Sequence, residues 1–285
     1  MAPAGPYPGM RISGQQLLPI IGTLLLINGA LGQTALTWNM EYFPSQGPSD
    51  ASQAHSRILA AQKILKTINP DILLLQEIND WKSAQAAVAT LDAVKVHVVT
   101  SFQGSRQQLA IASRFQQDSS WYEAFKSYDG EQRGPPRGFA FVVLRPPDGS
   151  YLLIYNVHFK SNRGDKDKNV RAREEAARQL VSHIAEYRVA YALKGKVSVI
   201  VGGDFNTLQD DPAYAQEQTI PLLKAAGLSW CWEGVPREQR TTWPAQGGFK
   251  DATFDHFFSS GLSKAIVKLQ PHTGVSDHSA VLLSW

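Results

Sequence analysis

From Leu36 onward, apolar runs of strand length alternate with helically spaced stretches and short polar connections. Thr34–Asn39 predicts a short strand. Ala51 to Ile68 places Ile58, Ala61, Leu65 and Ile68 at helical spacing, and Asn69-Pro70 stops the pattern. Asp71–Gln76 (DILLLQ) is a continuous apolar run, as a strand buried on both faces requires. Trp81–Leu91 predicts a second helix. Strands follow at Val94–Thr100, Gln108–Ser113, Phe139–Leu144 and Tyr151–Val157, the last two separated by the turn signal Pro146-Pro147-Asp148-Gly149. The clearest helix runs from Val170 to Tyr191, with Ala177, Leu180, Val181, Ile184 and Tyr191 on one stripe and Gly195 ending it. Val197–Val201, Phe254–Ser259, Ala265–Leu269 and Ala280–Trp285 complete the strands. No internal repeat or low-complexity linker interrupts the series. Many strands, few helices and hairpin connections predict α+β layers with mixed sheets.

The first residues break this pattern. Met10-Arg11 opens a short basic start, and Leu17 to Leu31 is apolar and uncharged. Ala30-Leu31-Gly32 has the small-x-small form that signal peptidase cuts, so residues 1–32 are expected to be a signal peptide and 33–285 one domain. Met10 is the expected true start. The other reading is a membrane anchor, for which the run is short of the ~20 residues of a span. Export implies a secreted or periplasmic protein, with no stable membrane association once the signal is cleaved.

Composition adds little. Among 285 residues, 43% are hydrophobic and 19% charged, an ordinary globular balance. A net charge of +3 suits a polyanionic substrate without requiring one. Cys231 is alone, which excludes an intrachain disulfide and a cysteine metal cluster.

The informative feature is where the buried strands end. The runs close on Asn39, Glu77, His158 and Asp204, and Ser276-Asp277-His278 precedes the last strand. Strand ends on one edge of a sheet converge on one pocket. Carboxylates there suit a hard cation, and histidine and asparagine suit phosphoryl oxygens.

Seven segments in order, TWNMEYF, DILLLQEIND, LAIASR, NVHFKSN, VGGDFNT, TFDHFFSS and GVSDHSAVLLSW, resemble the endonuclease/exonuclease/phosphatase family of DNase I-like proteins. The resemblance implies an α/β four-layer sandwich, two mixed sheets face to face with helices outside. It implies a metal-dependent phosphodiesterase using Mg²⁺, with Mn²⁺ or Ca²⁺ as alternatives. Glu77, Asn39 and Asp277 match the metal-proximal positions. Asp204 matches the aspartate that orients the attacking water, and Asn206 and Asn39 the phosphate-contacting asparagines. His278 matches the phosphate-contacting histidine, and Asp255 the carboxylate that orients it. His158 matches the histidine that assists the leaving group. Arg137, with Arg133 competing, matches an arginine before the next strand, and Lys160 is a further phosphate candidate. One departure stands out: the glutamate that supports the leaving-group histidine in DNase I-like members has no counterpart in Ser105-Arg106-Gln107-Gln108.

Plainer roles compete at several positions. Asn39 could cap a turn. In the Asp255-His256 pair, His256 is expected to be structural and Asp255 functional. Trp230, Trp232 and Trp243 are expected in the core, with stacking on a base as the alternative. The charged stretch Arg163 to Arg178 is either a solvated helix face or a flank of the substrate. His55, His97, His183 and His272 are expected to take no part. The expected substrate is DNA or RNA, cleaved by a monomer. The alternatives are a sphingomyelinase-like or other small phosphoester hydrolase, and an inactive binding module of the same fold.

Overall fold

A computed structural model describes residues 32–45, 47, 51–131, 133–246, 248–270 and 274–285. Residues 1–31 of the expected signal peptide (1–32), and His272, lie outside the described residues.

Among the described residues, twelve strands form two mixed sheets of six. The first has the order β11 (Ile266–Gln270), β12 (Ala280–Ser284), β1 (Thr34–Phe43), β2 (Ile72–Ile78), β4 (Gln108–Ser113), β3 (Lys95–Val99). The second runs β5 (Gln116–Glu123), β6 (Phe139–Arg145), β7 (Tyr151–His158), β8 (Val197–Asp204), β10 (Asp255–Ser260), β9 (Ser229–Trp230). Each sheet is built around one parallel pair joined through a helix. β1 crosses to β2 through α1 (Ala51–Ile68), and β7 crosses to β8 through α3 (Lys166–Ala192). The flanking strands are antiparallel in both. The two halves therefore share a topology, although the sequence shows no repeat.

Period-two alternation sorts the side chains into layers. On β2, Leu73 and Leu75 pack with Ala61 and Leu65 of α1 and with Ala84 and Ala87 of α2 (Trp81–Val88). Ile72 and Leu74 turn the other way, into a core between the sheets shared with Val142, Ile154, Ile200 and Phe257. On the far side, Phe141, Leu153 and Tyr155 pack against Ala177, Leu180 and Ile184 of α3 and Leu223 of α4 (Thr219–Ala225). This is the expected four-layer α/β sandwich. The unbroken apolar run of β2 follows from burial on both faces.

The differences from expectation have local causes. β5 was not expected, because its sequence QQDSSWYE is polar and it lies at a sheet edge. α3 starts at Lys166 rather than Val170, because Asp165 caps it by accepting from the Lys168 N–H at 2.9 Å. In the VGGD run both glycines are required by packing. A Cβ on Gly203 would fall 2.0 Å from the Val157 carbonyl oxygen of β7, and one on Gly202 would fall 2.5 Å from the Phe257 ring.

A buried polar cluster crosses the largely apolar gap between the sheets. The Asn156 amide, on β7, donates to the carbonyls of Leu75 on β2 and Ala110 on β4, each at 2.9 Å. The register between β2 and β4 shifts just beyond Leu75. Gln76 Nε2 in turn donates to Asn156 Oδ1 at 2.7 Å and to Thr37 Oγ1 at 2.9 Å. All three side chains are fully buried. Asn156→Leu would strand these buried partners and is expected to cost about 2–4 kcal/mol in urea unfolding. A change below about 0.5 kcal/mol would remove the clamp from the account.

Candidate active site

The topology brings the C-terminal ends of β1, β2, β7 and β8 to one edge of the sandwich. Their antiparallel neighbours β4, β6, β10 and β12 begin at the same edge. A cavity of about 1260 Å³ opens there, lined by Asn39, Glu77, Arg137, His158, Asp204, Asn206, Asp277 and His278, among others. Asp255 lies directly behind, facing Asp204 across the β8–β10 ladder. Several wall residues have left-handed backbone without being glycine: Glu41, Tyr42, Glu77, Arg137 and Asn206, with φ from 48° to 71°. Such conformations persist only where surrounding contacts enforce them.

Asp204 occupies the centre and is 1% exposed. Its Oδ2 accepts from Asn39 Nδ2 at 2.9 Å, and its Oδ1 from the Asn206 N–H at 2.9 Å. His158 Nε2 lies 3.4 Å from Oδ2 and His278 Nε2 3.9 Å. Burial, helped by the neighbouring charges of Asp255 and Glu77 and opposed by His278 and Asn39, raises the Asp204 carboxyl to about 7.

The two histidines are driven apart. Burial opposes the charge on His278, but the Asp255 carboxylate outweighs it. Asp255 Oδ2 holds Nδ1 at 2.8 Å, and with Asp204 and Asp277 adding to the effect, His278 is pushed up to about 10. His158 has no such partner. Its Nδ1 is buried without a hydrogen bond, and burial, the Arg137 charge and the His278 charge hold it well below the usual range. Burial, first of these causes, thus disfavours the charged form of His158. Gln107 stands in the site near that position, donating to Glu77 Oε1 at 2.9 Å and accepting from Arg137 Nη1 at 3.0 Å.

Glu77 Oε2 accepts the Tyr42 N–H at 3.2 Å, and Oε1 lies 3.4 Å from Asn39 Nδ2. Burial raises its pKa against the pull of His278, and burial raises that of Glu41 with help from Asp277. Asp277 Oδ2 accepts from Trp243 Nε1 at 3.0 Å and Gln246 Nε2 at 3.2 Å, and its N–H donates to Glu41 Oε2 at 3.2 Å. These are hard oxygen donors, and raised carboxyl pKa values mark negative charge that a cation would relieve. Among the described residues, no three His, Cys, Asp or Glu side chains group as a ready metal cage. Mg²⁺ is usually held by one or two carboxylates, with water and substrate supplying the rest. Asn39 is turned with its amide nitrogen toward Asp204 and its Oδ1 toward the Glu41 N–H at 3.1 Å.

Two expected phosphate contacts, Lys160 and Arg137, have protein partners for their donors. Lys160 does not line the cavity: its ammonium is held by the Ser161 and Arg163 carbonyls at 3.0 and 3.1 Å. Arg137 does line it, but its guanidinium donates to the backbone carbonyls of His158 and Phe159 as well as to Gln107, so it braces the end of β7. Arg133 is absent from the lining. His256 is structural as expected, accepting from Trp230 Nε1 at 3.1 Å and facing Thr207 Oγ1 at 3.0 Å. Trp232 is in the core, whereas Trp243 forms cavity wall against Asp277. Within the charged stretch, Arg163 lines the cavity, while buried Arg173 pairs with Glu217 at 2.7 Å. Sequence reasoning missed Glu41, Tyr42, Gln107 and Gln246. Glu41 and Tyr42 sat inside a quoted motif, and their signal was the polar break at the end of an apolar strand.

This edge-on pocket at the end of two face-to-face mixed sheets is that of the DNase I-like fold, and the chain belongs to the Endonuclease/Exonuclease/phosphatase family, whose model matches residues 36–278. The family's chemistry is hydrolysis of phosphoester bonds. Truncated TDP2 from Caenorhabditis elegans is similar over 88% of this chain and 96% of its own, at 21% identity and a TM-score of 0.61. SmcL is similar over 89% of this chain and 98% of its own, at 16% identity and a TM-score of 0.65. D. rerio TDP2, solved with a single-strand DNA product, is similar over 89% and 98%, at 18% identity and a TM-score of 0.61. These likenesses concern the fold. No curated protein matches the chain.

The His278–Asp255 pair makes a testable pH signature. A histidine raised from 6.5 to about 10 contributes stability that is full below 6.5 and is lost as pH rises through about 10. In metal-free buffer, urea unfolding of the native protein should therefore weaken between about pH 7 and about pH 10. Asp255→Asn should flatten that fall, and an unchanged slope would count against the pair.

Proposed function

We propose that the chain is an exported, divalent-cation-dependent phosphodiesterase that cleaves DNA or RNA as a monomer. The observation that carries this reading is the buried Asp204 carboxylate, held by Asn39 from one sheet and flanked by His158 and His278, at the floor of an open cavity. Asp204 orients a water for in-line attack on phosphorus, and its raised pKa suits it to take a proton near neutrality. His278, held charged by Asp255, donates from Nε2 to a phosphoryl oxygen, where charge grows in the transition state. Asn206 spends one amide hydrogen on the Phe159 carbonyl at 3.3 Å and offers the other to the phosphate. His158 assists the leaving oxygen as a neutral imidazole. Glu77, Asp277 and Asn39 would hold Mg²⁺, or Mn²⁺ or Ca²⁺ in its place, which when bound neutralises phosphate charge.

Nucleic acid as substrate is supported by the net charge of +3 and by the single-strand DNA product bound to D. rerio TDP2. Export is supported by the apolar run at Leu17 to Leu31 and its Ala30-Leu31-Gly32 end.

The test is incubation with duplex DNA, single-stranded DNA and RNA, each with Mg²⁺, Mn²⁺, Ca²⁺ or EDTA, beside Asp204→Ala. Cation-dependent cleavage that falls at least ~10³-fold in Asp204→Ala is expected. Near-normal turnover in that variant would overturn the mechanism. Cleavage of phosphocholine esters alone would move the substrate to lipid head groups. A protein that binds nucleic acid and hydrolyses nothing would be an inactive module.

A further inference from the structure

Arg57 lies on α1, outside the cavity lining and outside every motif that drew attention to the site. Its guanidinium donates to four backbone carbonyls. Nη1 reaches Pro44 at 3.1 Å, and Nη2 reaches Met40 at 3.0 Å, Glu41 at 3.0 Å and Val275 at 2.7 Å. Two of these acceptors, Met40 and Glu41, lie where β1 leaves its register with β2, between Asn39 and Phe43, and a third, Pro44, follows directly. Glu41 and Tyr42 have φ of 48° and 53° there, and carbonyls that lose a ladder partner need another donor. The fourth acceptor immediately precedes Ser276-Asp277-His278.

One planar cation therefore ties together two chain segments that are far apart in sequence and adjacent in the site. Their cavity-side contacts depend on that spacing. The Asp277 N–H donates to Glu41 Oε2 at 3.2 Å, and Ser276 Oγ donates to the Asn39 carbonyl at 2.7 Å. The Ser276 hydroxyl also receives the His278 N–H at 3.0 Å.

We infer that Arg57 is a positioning residue: by holding the end of β1 against the segment before β12, it sets Asn39, Glu41, Asp277 and His278 in their working geometry. The inference rests on the phosphodiesterase reading of the site. A lysine cannot replace the planar fork, because its ammonium is a compact point charge. A methionine keeps much of the apolar stem and has no donors.

The experiment compares hydrogen exchange and turnover in the full chain, in Arg57→Met and in Arg57→Lys. Both variants should lose roughly tenfold or more of the exchange protection at the amides of Glu41, Asp277 and His278, while β7 and β8 keep theirs. Turnover of the cleaved nucleic acid should fall roughly a hundredfold with KM within about threefold. Millimolar guanidinium, but not urea, should restore part of the activity of Arg57→Ala. Unchanged protection at the three amides would overturn the inference, as would a loss spread evenly over the core strands. If Arg57→Met fails to fold, Arg57→Lys decides by the same readings. Should the native protein hydrolyse no phosphodiester, the functional reading fails, while the exchange pattern still decides the role of Arg57.

Discussion

The candidate site is divided between two sheets, so its geometry depends on how firmly those sheets are fixed to each other. Asn39, Glu77, Asp277 and His278 belong to the first sheet or its approaches, and His158, Asp204, Asn206 and Asp255 to the second. Two short contacts cross the gap: Asn39 to Asp204 at 2.9 Å and His278 to Asp255 at 2.8 Å. Apolar side chains fill the rest of the interface, and such packing is non-directional. The buried amides of Asn156 and Gln76 supply direction. They sit two residues before His158 and one before Glu77. A slide of one sheet over the other would break hydrogen bonds that no water can replace.

Above that clamp, the site concentrates charge where the medium is least able to screen it. Asp204 and Asp255 are within a few per cent of full burial and face each other across one ladder. Two ionised carboxylates so placed repel unless a cation lies close by, and the His278 ring is wedged between them. The same burial acts on His158, which has Arg137 and His278 as neighbours and no paired carboxylate at Nδ1. Burial disfavours charge on both histidines, and they part because the Asp255 carboxylate outweighs it at His278 while Arg137 and His278 add to it at His158.

Much of this was legible in the sequence because buried strands leave a strong signal and end abruptly. DILLLQ stops at Glu77, VSVIVGG at Asp204 and YLLIYNV at His158, and each of these residues lines the cavity. What was not legible had no such frame. β5 is a polar edge strand whose partner is supplied by β6, so its own pattern says nothing. Glu41 and Tyr42 enter the site through a backbone irregularity that periodicity cannot show. Lys160 and Arg137 have the right charge in the right motif, but nearby backbone carbonyls claim their donors. A motif reports which residues are near a site; which way each side chain is spent depends on acceptors from distant segments.

The shared topology of the two halves explains why the braces are arginines on helices. Each parallel pair must turn back over its sheet through a helix, and the strand feeding that helix ends in site residues. The turn between them carries carbonyls that neither strand nor helix satisfies. In the first half Arg57 of α1 collects those of Met40, Glu41 and Pro44. In the second, Arg173 of α3 takes the Lys160 carbonyl and Asn162 Oδ1, each at 3.0 Å, and Asn162 then holds the Asn206 carbonyl at 2.8 Å. Each crossover helix thus returns one guanidinium to the turn that precedes it. The planar fork suits this task, since it satisfies several acceptors at once from a single charge. Without such a donor the turn would have to relax toward regular backbone.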